Sequence, residues 1–175
     1  MNILQIFRAA VLAAVTALSR SLGLELHLQY AALPWRRQGA GEVEVLLITS
    51  RGRRRWLIPK GWPIAGMSPP RAAAQEAFEE AGVRGEPAPR PLGAYLYAKK
   101  TPSGARRPVR VAVFPLEVTE VTERWPEWRQ RERRWAPPQA AAELVEETEL
   151  AQLILSFAGE IGAAARPAPV RPAPP

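Results

Sequence analysis

The stretch Gln75-Glu76-Ala77-Phe78-Glu79-Glu80-Ala81-Gly82-Val83 constrains this chain more than any other. Its glutamates stand at i, i+3 and i+4, so a helix turning ~100° per residue carries them on one side of a single turn. The flanking residues specify that helix. Ser68 is a good N-cap, Pro69 occupies N1 where its missing N–H costs nothing, Ala72 to Ala74 propagate, and Gly82 falls at C′. Three like charges in one turn repel one another, and a cation among them removes the repulsion. Clustered carboxylates offer only oxygen, which suits hard Mg²⁺ or Mn²⁺, ions that also bind substrate phosphates. The competing reading is a solvated acidic helix end, a mildly unfavourable use of Glu79 and Glu80 because the dipole there prefers cations. Spacing alone leaves both readings open.

Composition removes several alternatives. A chain of 175 residues, 47% hydrophobic, forms one ordinary domain with a core. The absence of cysteine excludes a disulfide framework, thiol catalysis and thiolate metal sites. His27 is the single histidine, which argues against Ser-His-Asp chemistry and His-rich zinc sites. Carboxylate–metal chemistry is what remains. The net charge of +7 favours anionic partners, namely nucleotides, polyphosphates, nucleic acid or an anionic membrane. A GC-rich coding bias also inflates Arg, Ala and Pro together, so charge alone makes no case for nucleic acid. The aromatic–basic interleaving of an RNA platform is missing too. A nucleotide or polyphosphate small molecule is the expected partner, and an RNA 5′-end substrate ranks last.

Along the chain, residues 1–24 read as an amphipathic helix interrupted by Arg8 and Arg20. The apolar-to-small run between them is shorter than the roughly 18–20 residues of a spanning helix. This extension is expected to pack on the domain or, through residues 1–22, on a membrane surface; a misassigned start codon is the alternative. The expected location is cytoplasmic. Strands are predicted at His27–Trp35, ending in a turn over Arg36–Gly41, and at Glu42–Thr49, Trp56–Ile58, Leu92–Lys99 and Arg107–Val118. Residues 85–91, with proline at alternate positions, read as a connector, and Arg124–Arg134 as a loop. Helices are predicted from Pro138 to Glu147 and from Glu149 to Phe157, before a disordered Pro/Ala-rich tail over 164–175. Strands mixed with helices give an α/β layered domain, with the sheet between helices.

The residues from Gly61 to Val83 resemble the Nudix box, Gly-x5-Glu-x7-Arg-Glu-(apolar)-x-Glu-Glu-x-Gly-(apolar). Gly61 fills the first glycine, Glu76 the glutamate after the arginine, Glu79 and Glu80 the pair, and Gly82-Val83 the end. Trp56-Leu57-Ile58-Pro59-Lys60-Gly61 is similar to the entry of the branch that includes diphosphoinositol polyphosphate and diadenosine polyphosphate hydrolases. The resemblance spans about residues 26–160 and implies an α/β/α sandwich with a mixed sheet. It implies a metal-dependent pyrophosphohydrolase using Mg²⁺ or Mn²⁺, acting on a dinucleoside polyphosphate or an inositol pyrophosphate. Glu76, Glu79 and Glu80 would hold metal, with catalytic roles for Glu76 and Glu79 and a base role sometimes given to the first. A further glutamate often comes from outside the box, and Glu117, Glu120 and Glu123 are candidates. Lys60, Arg53, Arg55, Lys99 and Arg107 are expected to meet phosphate, and Trp56 or Trp62 to stack a base.

Two positions depart from the pattern, Met67 for the first box glutamate and Gln75 for the arginine. Losing one half of an ion pair strands the other, whereas losing both can be close to neutral. Their joint change points to a replaced support pair in an active enzyme. The alternative is a catalytically weak module that binds a phosphorylated ligand.

Overall fold

The computed structural model describes residues 27–39, 41–101 and 104–164. The expected N-terminal helix over 1–24 and the tail after Ala164 lie outside the described residues. Eight strands form one mixed sheet: β1 (His27–Gln38), β2 (Glu42–Thr49), β3 (Trp56–Leu57), β4 (Lys60–Gly61), β5 (Val83–Pro87), β6 (Gly93–Lys100), β7 (Arg106–Val121) and β8 (Arg133–Ala136). Among the described residues three helices cover it: α1 (Pro69–Ala81), α2 (Pro138–Leu144) and α3 (Thr148–Ala164). None of the described helices is long and apolar enough to cross a membrane.

The spine of the sheet is the parallel pairing of β1 with β7, from His27↔Val109 to Trp35↔Glu117. All other strand pairs are antiparallel. A parallel pair at the centre of a sheet needs apolar side chains on both faces, and the period-2 alternation of these strands supplies them. Ala31, Leu33, Val45, Leu47, Val109, Val111 and Val113 point to one side and join Leu150, Ile154 and Phe157 of α3. Ala32, Leu46, Ile48, Ala112, Phe114 and Leu116 point to the other and join Ala73, Ala77 and Ala81 of α1. The sheet is therefore the middle layer of an α/β/α sandwich. The alanines recur at every fourth position, so one face of α1 is nearly flat and lies close on the sheet while its glutamates stand to the side.

Several boundaries differ from the sequence reading. β1 runs through Arg36 and Gln38 instead of turning at Arg36, because Arg36 donates to Glu44 across β2 at 2.8 Å and extends the ladder. The expected connector over 85–91 is strand in its first part, since β5 runs from Val83 to Pro87. β5 pairs only with β7, so Pro87 at its end removes no donor needed by a second neighbour, and the register slips between Arg84 and Gly85.

Both ends of α1 follow from the chain. Ser68 is the N-cap residue with extended φ/ψ, although its side chain makes no capping bond, and Pro69 opens the helix. Gly82 closes it in the left-handed region at φ 66°, with its N–H on Phe78 O at 3.0 Å. No basic residue of α1 sits in its last turn; the loop between β7 and β8 serves that end instead. Trp125 Nε1 donates to Glu80 O at 3.1 Å, Arg133 Nη1 to Ala81 O at 3.0 Å, and Thr122 N to Gly82 O at 2.8 Å. Three orphan carbonyls are satisfied by this loop and by Arg133, the first residue of β8, and the loop is thereby fixed against the glutamates.

A Cβ on Gly82 would strain its backbone and lie 2.9 Å from the Trp125 ring. Gly82→Ala should destabilise the fold by about 1–3 kcal/mol in urea unfolding. An unchanged midpoint would contradict this account of the helix end.

Candidate active site

β4 and α1 build the floor of the site. Lys60 and Gly61 are held on β1 by the pairs Ala31↔Lys60 and Tyr30↔Gly61. That fixes the Lys60 N–H, which donates to Glu80 Oε2 at 3.0 Å. Glu80 is buried, and its other oxygen pairs with Arg131 Nη2. Burial pushes the Glu80 carboxyl above the usual carboxylate range, while the Arg131 guanidinium and the Lys60 N–H hold it down.

Glu76 lies one turn earlier, with its carboxylate laid against Gly61. A Cβ at that glycine would fall within the carboxylate itself, so the glycine is a cradle for it. Among the described residues Glu76 has no hydrogen-bond or ion-pair partner. Its pKa is raised to about 7 by burial first, then by the charges of Glu80, Glu79 and Glu127. Glu79 accepts from Gln75 Nε2 at 2.6 Å.

Glu127 is the acidic residue that sequence reasoning missed. The loop between β7 and β8 brings it to α1, with its N–H on Glu79 O at 3.2 Å. Its carboxylate meets Arg131 Nε at 2.5 Å and Arg51 Nη2 at 3.2 Å. Of the glutamates proposed from outside the box, Glu117 and Glu120 lie instead in the β5–β7 ladder, and Glu123 acts on Arg133. Nothing in the spacing of residues 117–132 distinguished Glu127; the helix-end contacts of Thr122 and Trp125 select it.

The donor set fits a hard divalent cation. Glu76, Glu79, Glu80 and Glu127 interact electrostatically at one end of α1, all of them oxygen ligands, and one is cradled without a partner. They do not form a closed cage. Among the described residues no three acidic or histidine side chains are placed to hold an ion together, and the Arg131 guanidinium sits on Glu80.

Met67 and Gln75 line one cavity of about 240 Å³ beside α1, with Arg71, Phe78 and Arg84. The two box departures thus share a location. No charge is stranded there: Met67 is 43% exposed, and Gln75 bonds Glu79.

The expected phosphate contacts divide into groups. Lys60 carries its ammonium 5.4 Å from the Tyr97 ring centre, and burial pulls its pKa below the usual lysine range against the charges of Glu80 and Glu147. Lys99 pairs with Arg107 across β6 and β7, and its Nζ lies 4.7 Å from the Trp62 ring centre. Trp62 is exposed, whereas Trp56 packs against the core. Arg55 is engaged by Glu146 at 2.7 Å, and Arg53 is exposed in the turn before β3.

A NUDIX domain model matches residues 26–157. The chain is similar to "Nudix hydrolase 12, mitochondrial" of Arabidopsis thaliana, 37% identical over 106 residues, covering 59% of this chain and 52% of that protein. "Nudix hydrolase 21, chloroplastic" of the same plant is 34% identical over 125 residues, covering 70% and 61%. "Diphosphoinositol polyphosphate phosphohydrolase 3-alpha" of Mus musculus is 40% identical over 85 residues, 48% of each chain. The chain thus spans about half the length of these curated relatives. A C. elegans Ap4A hydrolase structure superposes with TM-score 0.58 at 18% identity, covering 78% of this chain and 99% of that one, a likeness of fold.

In metal-free protein Glu76 protonates near pH 7 when folded and near 4.5 when unfolded, so the folded state binds more protons and stability falls as pH rises between those values. Discounted for partial exposure, the loss above pH 7 is about 1–2 kcal/mol. In EDTA, Glu76→Gln should therefore gain about that much over the parent near pH 8 and nothing near pH 4. Equal gains in urea unfolding at both pH values would refute the shift.

Proposed function

The chain belongs to the Nudix family, and from that premise we propose that it is a divalent-metal-dependent pyrophosphohydrolase. Its substrate is a dinucleoside polyphosphate or an inositol pyrophosphate. The observation that carries the reading is Glu76, a carboxylate seated on Gly61 with three acidic neighbours and no partner of its own. A group so placed is stabilised by an added positive charge. Glu76, Glu79 and Glu80 are the residues that would hold the ion, with Glu127 as a further carboxylate from the loop. Mg²⁺ or Mn²⁺ bound there supplies charge neutralisation on phosphate oxygens and lowers the pKa of water.

The chain's own residues do the rest. Glu76 is also the position to which the family resemblance sometimes gives the base role, taking a proton from the attacking water. The Lys60 N–H orients Glu80, and the Lys60 ammonium offers positive charge for phosphate. Lys99 adds charge beside Trp62, whose exposed part is available to a base or an inositol ring, and Arg107 stands opposite Lys99 on the next strand. Arg55, tied to Glu146, meets phosphate only by leaving that pair, and Arg53 contributes to the general field. The Met67 and Gln75 substitutions leave no orphaned charge, which supports an active enzyme over a binding module.

Phosphorus NMR of reactions with diadenosine polyphosphates, inositol pyrophosphates and nucleoside diphosphate sugars tests this directly. Hydrolysis should occur with Mg²⁺ or Mn²⁺ and stop in EDTA. Glu76→Gln should lower kcat by about 10²-fold or more with its circular dichroism unchanged. Binding of these compounds without product release would favour the sensor, and parental turnover by Glu76→Gln would remove Glu76 from the mechanism.

A further inference from the structure

Arg131 is the one buried arginine among the described residues, with its side chain 6% exposed. Every guanidinium nitrogen is engaged. Nη2 pairs with Glu80, Nε donates to Glu127 at 2.5 Å, and Nη1 donates to Thr49 O at 2.9 Å. The carbonyl of Thr49 ends β2, and the Glu132 N–H donates to Thr49 Oγ1 at 2.9 Å, so the arginine is anchored to the sheet from both sides. α1 supplies no cation to its own glutamates, since its last turn lacks one and Gln75 brings only an amide.

A buried carboxylate keeps its charge only with partners. Glu80 has the Lys60 N–H on one oxygen and Arg131 on the other, whereas Glu76 has neither. We propose that Arg131 is a built-in counter-ion that holds Glu80 and Glu127 in register while the site is free of metal, and that it weakens metal binding by competing for Glu80. Arg131 is in this sense a positioning residue, acting through the two carboxylates. The proposal rests on the reading of the glutamates as metal carriers. Its physical basis is charge: the guanidinium seated on Glu80 neutralises that carboxylate and repels a dication brought beside it, so apparent metal affinity is lower while the pair is closed.

The test is Mn²⁺ binding to the full chain by calorimetry and electron paramagnetic resonance, together with melting curves with and without Mn²⁺. Arg131→Met should bind Mn²⁺ at least about tenfold more tightly than the parent. Without metal it should melt below the parent, and saturating Mn²⁺ should close that gap, because the ion replaces the missing charge. Arg131→Lys, which keeps the charge, should stay within about threefold of parental affinity. If Arg131→Met folds only with Mn²⁺, the proposal stands; if it does not fold even then, Arg131 is structural and the proposal fails. An Arg131→Met protein that binds Mn²⁺ no more tightly than the parent overturns the competition alone. A parent chain that binds no Mn²⁺ overturns the metal reading beneath it.

Discussion

Negative charge gathered at one end of one short helix is the constraint to which the rest of this molecule responds. α1 brings Glu76, Glu79 and Glu80 to its C-terminal half, where its own dipole also turns negative. The compensations come from elsewhere in the chain. A strand N–H at Lys60 and a buried arginine at position 131 meet Glu80, and Arg133 serves the Ala81 carbonyl. The parallel β1–β7 spine makes this geometry accessible. It carries the end of β7 to Thr122, beside Gly82, so that the following loop passes over the helix end before returning as β8.

The glycines and the box departures gain a physical meaning in that frame. Gly61 is required because the Glu76 carboxylate occupies the space of a side chain, and Gly82 because the chain turns left-handed against Trp125. Met67 and Gln75 face one cavity on the flank of α1, away from the Glu80–Arg131 pair. A thioether and an amide there leave no charge without a partner, which spares the fold the cost of a stranded ion.

How far the sequence was legible depended on whether the signal was local. Pro69 and Gly82 bracket α1, and the Val/Leu/Ile run from Glu42 to Thr49 is the strand β2. Where a partner decided the outcome, local reading failed. The prolines of 85–91 concealed a strand because only its pairing with β7 reveals that a proline is harmless there. Arg36 looked like turn material until Glu44 faced it across the ladder. Within the site, the box glutamates were visible from spacing, but Glu127 and Arg131 were not. They sit in a loop where arginine and glutamate fill about half of the positions, and only the anchoring of Trp125 and Thr122 to the helix end singles them out. The engagement of Arg55 was hidden for a related reason, since its carboxylate partners lie far along the chain between α2 and α3.

The outward chemistry is continuous with the inward. Lys60 joins the glutamates through its backbone and presents its ammonium beside Tyr97, while Lys99, opposite Arg107 in the sheet, sets positive charge on Trp62. The most direct test of this account is anomalous diffraction from crystals soaked in manganese. The account requires a peak among the carboxylates of Glu76 and Glu80, with the Arg131 guanidinium withdrawn from Glu80. Well-ordered carboxylates with no peak between them, and Arg131 still seated on Glu80, would contradict it.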